Sequence, residues 1–420
     1  MILFKPFKST YLFLFLLMNF QLISCAQTTK EKSEKKVEQK GTTIKTGAEN
    51  THLYLNLLKG KNIAIVANHT SVLSVLQRAE VAPNVMGSKK VTHHLVDYLH
   101  NYNGIHVKKV FAPEHGFRGK EDAAAHVDDA IDAKTGLPIL SLHGKSKKPS
   151  VKQLEGIDIV VFDIQDVGVR FYTYISTLHF VMEACAENGI QVIVLDRPNP
   201  NGHYIDGPVL EPKHSSFVGK HPVPVVYGMT IGEYAQMING EKWLKNSVQC
   251  DLKVIPLEHY NHNSTYSLPI KPSPNLPNDK SINLYPSLGF FEGTTINAGR
   301  GTEFQFQRYG APFFKKTNFS YTPKANDGAK YPKHKEKLCY GVDLRQAPHL
   351  SKINLSFLMD AYKRTPKTEK FFGSTFTIHA GTEKLQQQIE QGLSVQEIRK
   401  SWAKGLVNFK IIREKYLIYN

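Results

Sequence analysis

The feature of this sequence that most constrains its fold is a series of short apolar runs with the length and composition of buried β-strands. Between the last two runs, apolar residues recur at helical spacing from Ile175 to Cys185, and Gly189 follows as a helix stop. A strand, a helix and a strand in succession are typical of a parallel β-α-β unit. The sequence therefore predicts an α/β fold with a mostly parallel sheet and helices on both faces. The apolar runs span residues 62–67, 107–112, 138–142, 157–162 and 192–195.

Loops with charged or amide side chains directly follow four of these runs. Any one of them is typical of an ordinary turn, because Asp, Asn, Gly and Pro dominate turns. In a parallel sheet, however, the carboxyl ends of the strands share one edge, and ligands bind just beyond that edge. The four loops together therefore predict a cleft dense in Glu, Asp, His, Asn and Arg. They span residues 68–71, 113–119, 163–170 and 196–202.

Such a cleft suits the hydrolysis of a polar substrate. One carboxyl group can act as a general acid, and a second as nucleophile, base or charge stabiliser. Amide and guanidinium groups can bind sugar hydroxyls or a carboxylate. The chain has no G-x-S-x-G nucleophile elbow, no G-x-x-x-x-G-K-[ST] phosphate loop and no H-E-x-x-H zinc motif. We therefore expect an enzyme that uses no metal and no other cofactor.

The first residues of the chain are predicted to target the protein rather than to fold. Lys5 and Lys8 precede an apolar run, and Leu22-Ile23-Ser24-Cys25 resembles a bacterial lipobox, whose cysteine carries the lipid. An ordinary cleaved signal is the alternative. We predict a lipoprotein signal peptide over residues 1–25 and a flexible tether over residues 26–50, which are charged and lack apolar periodicity. The prediction is an exported protein, lipid-anchored in the cell envelope and facing the periplasm.

The composition narrows the choice of partners. The formal net charge of +16 favours anionic partners, although a solvated lysine-rich surface is the alternative. We find no helix-turn-helix, zinc-finger or RNA-binding signature, and we therefore expect no nucleic-acid partner. Besides Cys25, three cysteines remain, which permits at most one disulfide.

The strand and helix pattern of the sequence changes at the proline-rich segment Lys271–Pro277, which is typical of a rigid, extended chain. Glycine-rich and lysine-rich stretches follow it, and a modest helix pattern spans Leu393 to Trp402. We predict an α/β catalytic domain over residues 51–269. A smaller α+β domain over residues 270–420 is predicted to complete the cleft.

Seven short motifs follow one another along the chain after about Asn62, at residues 111–119, 163–174, 195–200, 272–277, 291–295, 299–302 and 310–312. In this order they resemble the motifs of the exo-β-N-acetylmuramidase family. The resemblance implies a Rossmann-like N-terminal domain without a nucleotide, and a cleft against the C-terminal domain. It also implies release of terminal β-1,4-linked N-acetylmuramic acid from the non-reducing ends of peptidoglycan-derived muropeptides or disaccharides.

The resemblance centres the chemistry on Glu114, which we predict to be the general acid. His115 is predicted to orient it. Asp163 and Asp166 are candidates for the second catalytic carboxyl or for orienting groups, with capping of the following helix as the alternative. Glu292 is a further candidate for the second carboxyl, brought in by the C-terminal domain.

The same motifs supply candidate substrate-binding residues. Arg170 and Arg300 are predicted to bind the lactyl carboxylate that distinguishes N-acetylmuramic acid from N-acetylglucosamine, although either is also explained as a structural ion pair. Tyr172 and Tyr174 are candidates to stack on sugar faces, with a place in the core as the alternative for one of them. The remaining candidates for contact with the substrate are Asn68, Thr70, Arg118, Asp196, Arg197, Asn199 and Glu292.

Three other functions remain compatible with the sequence. One is a different cell-wall hydrolase on the same fold, such as an amidase or a deacetylase. A second is a non-catalytic lipoprotein that binds muropeptides. A third is a structural envelope protein that binds an anionic polymer through its basic surface.

Overall fold

The computed structural model describes residues 43–82, 85–114, 116–118, 130–144 and 146–419. The predicted signal peptide with its lipid-carrying Cys25 lies outside these residues, and so does His115. Across the described ranges, no helix combines the length and the apolar character needed to cross a membrane.

The described strands form one large sheet, one small sheet and a long hairpin. All five predicted apolar runs are strands of the large sheet, which confirms the prediction of a mostly parallel α/β fold. In chain order the strands are β1 (Asn62–Ala67), β2 (Val72–Ala82), β3 (Val85–His94), β4 (His106–Ala112), β5 (Ala130–Ile131), β6 (Pro138–Ser141), β7 (Ile159–Asp163), β8 (Gln191–Leu195), β9 (Leu252–Ile255), β10 (Arg308–Ala311), β11 (Ser320–Tyr321) and β12 (Cys339–Asp343).

The large sheet has the strand order β5-β6-β4-β1-β7-β8-β9, and only the short edge strand β5 runs antiparallel to its neighbour. From β1 the chain first builds outward through β4 and β6, and then returns to build the other half from β7. The direction of winding reverses between β1 and β7, where Ala67 pairs with Asp163. A crevice opens at such a switch point, beyond the carboxyl ends of the strands.

Helices cover both faces of the large sheet, so its central strands are buried on both sides. Along β1, Val66 enters the core that includes Leu178, whereas Ile65 enters a second core that includes Leu99. The helices are α1 (Leu55–Leu58), α2 (Leu95–His100), α3 (Val151–Leu154), α4 (Tyr174–Glu187), α5 (Ile231–Gly240), α6 (Asp279–Leu288), α7 (Ser356–Arg364), α8 (Phe376–Ala380), α9 (Lys384–Glu390) and α10 (Val395–Glu414).

The C-terminal part combines α6–α10 with an antiparallel sheet in the order β10-β12-β11, which confirms the predicted smaller α+β region. The division at residues 269/270 stays a prediction. Helix α10 is longer than the predicted 393–402. Its second half has weak apolar periodicity and is held instead by tertiary contacts, because Phe409 is buried and Arg413 donates to the carbonyl of Gly228 at 2.5 Å.

The hairpin β2–β3 was not predicted. Its strands pair antiparallel from Val72 opposite His94 onward, outside the large sheet. Lys89, Lys90 and the exposed Leu76 interrupt the alternation that marks a half-buried strand, so the pairing has little local signal.

Arg170 has a structural role, and the structure gives no support to the prediction that it binds the lactyl carboxylate. Its side chain is fully buried. One terminal nitrogen donates to the carbonyls of Pro208 and Val223 at 2.7 and 2.8 Å. The other donates to the carbonyls of His379 and Ala380 at 3.1 and 2.8 Å. Arg170 therefore fastens α8 to the region that follows β8.

Replacement of Arg170 by methionine should destabilise the protein strongly, because four buried carbonyls lose their donors. We expect the free energy of unfolding to fall by on the order of 3 kcal/mol or more, as measured by urea denaturation. Arg345→Met serves as a control, since Arg345 pairs with Asp343 at the surface and should leave the stability unchanged. An Arg170→Met variant as stable as the wild type would contradict the structural role.

Candidate active site

A cavity of about 330 Å³ opens beyond the carboxyl ends of the strands, between the N-terminal sheet and the C-terminal part. We call it the cleft. It brings together four of the predicted site residues, Glu114, Tyr172, Glu292 and Arg300. The cleft is lined by Glu114, His143, Phe171, Tyr172, Thr173, Tyr174, Phe217, Val218, Ser273, Asn275, Leu276, Tyr285, Glu292, Arg300, Phe306 and His379.

Glu114 stands on the loop directly after β4, and the start of α4 holds it in place. The hydroxyl of Thr173 donates to Oε2 of Glu114 at 2.7 Å. The hydroxyl of Tyr174 faces the backbone carbonyl of Glu114 at 3.4 Å and accepts a hydrogen bond from Nδ2 of Asn68 at 2.9 Å. The position of the Glu114 carboxyl group is thus tied to the switch point through Tyr174 and Asn68.

Glu292 faces the cleft from the C-terminal side, as part of an ion pair. Arg300 donates to Oε2 of Glu292 at 3.0 Å and to the carbonyl of Gly328 at 3.1 Å. Burial opposes the ionisation of Glu292, but the positive charges of Arg300 and Lys333 outweigh it and hold the pKa of Glu292 below its ordinary value. The lowered pKa favours the ionised form of Glu292, so the cleft is lined by a carboxylate in addition to Glu114.

Aromatic rings form much of the remaining wall of the cleft. Phe171, Tyr172 and Phe306 each contact the ring of Tyr285 edge to face. The hydroxyl of Tyr172 donates to the carbonyl of Pro272 at 2.7 Å, which ties the N-terminal loop to the proline-rich segment. Flat apolar walls with a few charged groups are typical of a pocket that orients a small polar ligand.

Asp163 and Arg197 form a buried ion pair below the cleft. Both nitrogens of the Arg197 fork donate to the Asp163 carboxylate, at 2.6 and 2.8 Å, and neither side chain is more than 4% exposed. Arg197 also donates to the carbonyl of Val72 at 2.9 Å. The structure gives no support to the predictions that Asp163 is catalytic and that Arg197 binds substrate, because each group is buried and bonded to protein partners.

Asp166 is also a buried framework residue rather than a catalytic one. It accepts hydrogen bonds from the hydroxyl of Tyr227 and from the backbone N–H of Gly168. Burial raises the pKa of Asp166 to about 6, although both of these hydrogen bonds lower it. The structure gives no support to the prediction that Asp166 acts in catalysis, because its side chain is buried and does not line the cleft.

Five further predicted substrate contacts are framework contacts as well. Asp196, for example, accepts from the hydroxyls of Thr230 and Tyr419, at 2.7 and 2.6 Å. Arg118 pairs with Asp97 and Asp132 away from the cleft. The structure does not place these residues along the cleft, and all but Arg118 are buried, so their direct contact with substrate stays a prediction. They are Asn68, Thr70, Arg118, Asp196 and Asn199.

Several cleft residues were missed by the sequence analysis, among them Thr173, Tyr285 and His379. Thr173 lies directly after Tyr172 inside one of the motifs, and this position is the signal that could have identified it. Tyr285 and His379 lie in segments of the C-terminal part where local patterns are weak. In the parts of the chain that the structure describes, no three His, Cys, Asp or Glu residues are grouped so that they could hold a metal ion.

Comparison with known proteins gives consistent matches over almost the whole chain. The family model for the N-terminal region of the exo-β-N-acetylmuramidase NamZ matches residues 63–280, and the model for its C-terminal region matches residues 283–419. The peptidoglycan β-N-acetylmuramidase NamZ of Bacillus subtilis is 38% identical over 435 residues, covering 98% of this chain and 100% of the relative.

Two solved structures of DUF1343 family proteins from Bacteroides fragilis are similar in fold. They are 44% and 28% identical to this chain, with TM-scores of 0.79 and 0.74. Each comparison covers 90% of this chain and 99% of the other.

The raised pKa of Asp166 predicts a pH-dependent stability. The folded protein binds this proton more tightly than the unfolded chain, whose aspartate has the ordinary pKa of 3.8. The contribution is therefore complete below about pH 4 and is lost as the pH rises through about 6, on the order of 3 kcal/mol in all. We expect the free energy of unfolding of the wild type to fall over this range relative to that of Asp166→Asn, as measured by urea denaturation. Parallel pH profiles of the two proteins would contradict the prediction.

Proposed function

Since this chain belongs to the exo-β-N-acetylmuramidase family, we propose that it hydrolyses the terminal N-acetylmuramic acid of peptidoglycan fragments in the cleft between Glu114 and Glu292. The observation that carries the proposal is the meeting of these two carboxyl groups, one from each part of the protein, in a cavity of about 330 Å³. A cavity of this size holds one or two sugar units rather than a long chain, in keeping with cleavage at a chain end.

Glu114 is the general acid in this proposal. It gives its proton to the glycosidic oxygen while the bond between that oxygen and the anomeric carbon breaks. The hydroxyl of Thr173, 2.7 Å from Oε2, fixes the orientation of the carboxyl group before the substrate arrives. Because Thr173 directly precedes α4, a long buried helix, the general acid rests on a rigid element.

Glu292 supplies the second carboxyl group. As the glycosidic bond breaks, positive charge develops on the sugar ring, and a carboxylate nearby stabilises that charge. Arg300 and Lys333 keep Glu292 ionised, so it is in the charge state that this role requires. Glu114 thus acts as the general acid and Glu292 as the charge stabiliser, a pairing of roles that is typical of glycosidases.

Arg300 is placed to distinguish muramic acid from glucosamine. The two sugars differ by a lactyl group with a carboxylate, and a guanidinium group binds carboxylates with directed hydrogen bonds. Arg300 lines the cleft beside Glu292, and Lys333 lies behind the same wall, where its ammonium group donates to the carbonyls of Phe291 and Glu292. The C-terminal wall of the cleft is therefore the side on which we place the lactyl carboxylate.

Glu114→Gln tests the proposal, because it removes the acidic proton and keeps the shape of the side chain. With a chromogenic β-N-acetylmuramide or a muramyl disaccharide, we expect kcat to fall by about 10³-fold. The matched control is Glu187→Gln, since Glu187 pairs with Lys148 outside the cleft and should leave kcat unchanged.

Three further results would contradict the proposal. They are equal cleavage of the matching β-N-acetylglucosaminide, loss of activity on chelation of metals, and binding of the disaccharide without turnover. The second would favour a metal-dependent amidase or deacetylase, and the third a muropeptide-binding protein.

We also propose that the protein is exported and anchored in the cell envelope by a lipid on Cys25. The support is the lipobox-like Leu22-Ile23-Ser24-Cys25 after an apolar run. In cells that produce the full chain, Cys25→Ala should prevent incorporation of labelled palmitate and shift the protein from the membrane fraction to the soluble one. Wild-type protein without label, recovered in the soluble fraction, would contradict the anchor.

A further inference from the structure

One tyrosine hydroxyl in the cleft has no hydrogen-bond partner in the described structure, and it belongs to Tyr285. The other two tyrosines of the cleft are engaged. Tyr172 donates to the carbonyl of Pro272, and Tyr174 is bound by Asn68 and faces the carbonyl of Glu114. Because Tyr285 lines the cleft and is not sealed in by the protein, its hydroxyl group can donate to a molecule bound there.

The ring of Tyr285 cannot turn away from the cleft. Phe306 packs against it edge to face at a centroid distance of 4.8 Å and an angle of 76°. Phe171 does the same at 5.2 Å and 86°, and Tyr172 at 6.2 Å and 84°. Three such contacts fix the ring, and with it the position of the hydroxyl group.

The backbone that carries Tyr285 is fixed as well. Pro286, the next residue in α6, has no N–H, so the carbonyl of Ile282 one turn earlier lacks its helical partner. Nδ2 of Asn201 donates to that carbonyl at 3.2 Å and to the carbonyl of Val167 at 2.9 Å. The N-terminal domain thus holds the helix at the point where Tyr285 enters the cleft.

The charges around the hydroxyl group are those of the two acids of the cleft. Burial raises the pKa of Tyr285 far above its ordinary value, and the negative charges of Glu292 and Glu114 raise it further, while Arg300 lowers it. The hydroxyl group is therefore protonated near neutral pH. It lies within the electrostatic influence of both acids, makes no hydrogen bond to either in the described structure, and is available as a hydrogen-bond donor.

We propose that Tyr285 is a catalytic residue, whose hydroxyl group donates a hydrogen bond to an oxygen of the N-acetyl sugar held between Glu114 and Glu292. This inference rests on the proposed function and adds a third group to its two acids. A fixed, neutral donor at this point needs no reorganisation when the substrate arrives, and it strengthens as negative charge builds on the oxygen it contacts.

Tyr285→Phe tests the inference, because it removes one oxygen atom and leaves the aromatic packing intact. We expect kcat/KM for the muramyl substrate to fall by about 10- to 100-fold, the effect of one lost hydrogen bond to substrate. The melting temperature should stay at the wild-type value, since no hydrogen bond within the protein is lost.

Tyr309→Phe is the matched control. The hydroxyl of Tyr309 donates to Oδ2 of Asp360 at 2.7 Å, away from the cleft. Its removal should lower the melting temperature and leave kcat/KM unchanged, which is the opposite pattern. Calorimetric titration of the variants with N-acetylmuramic acid gives a second readout, and we expect weaker binding by Tyr285→Phe alone.

The outcomes separate the two proposals. A wild-type protein that cleaves the muramide and a Tyr285→Phe variant with equal kcat/KM would overturn the role of Tyr285 and leave the proposed function standing. A wild-type protein that neither cleaves nor binds the sugar would overturn both. If Tyr285→Phe melts earlier than expected, kinetics at a temperature where circular dichroism shows it folded decide between loss of contact and loss of fold.

Discussion

The structure depends on the buried ion pair between Asp163 and Arg197. It joins the end of β7 to the loop after β8, and through the carbonyl of Val72 it also reaches the start of the hairpin β2–β3. Three segments thus meet at the switch point of the sheet. The strands end there, and the backbone N–H and C=O groups need hydrogen-bond partners other than those of the neighbouring strands. A buried pair of this kind is costly to break, because the remaining charge would have no water around it. The edge of the sheet is rigid for this reason, and the cleft is built on it.

The sheet and its polar edge could be predicted from the sequence because both are local. Each central strand is a continuous apolar run, and its loop follows at once. The sequence could not show which polar side chains face outward. Some of these polar side chains are buried and form hydrogen bonds within the protein, as do those of Asp163, Asp166, Asp196 and Asn199. The side chain of Glu114 lines the cleft instead. The two groups of residues are of similar types and lie in similar loops, so the sequence does not distinguish them.

The C-terminal half of the cleft was harder to predict for a different reason. Glu292 and Arg300 were found through their motifs, and the structure places both in the cleft. Tyr285 was not found, because its role comes from packing. Its position is set by aromatic residues that are distant in sequence and by a hydrogen-bond donor from the N-terminal domain. The sequence around Tyr285 contains no local pattern that indicates these contacts. Contacts between distant segments decide which side chains enter the cleft.

The fastening of α8 by Arg170 has a consequence for how related sequences can diverge. All four acceptors are main-chain carbonyls, and every residue type has one. A substitution at a position such as 208, 223 or 379 therefore leaves the accepting carbonyl of that residue in place. The attachment depends on the identity of two residues. Arg170 supplies the donors, and at Gly381 a Cβ would stand 2.5 Å from the guanidinium group. This attachment should therefore tolerate substitutions at the residues that supply the carbonyls, and should be lost when Arg170 or Gly381 is replaced.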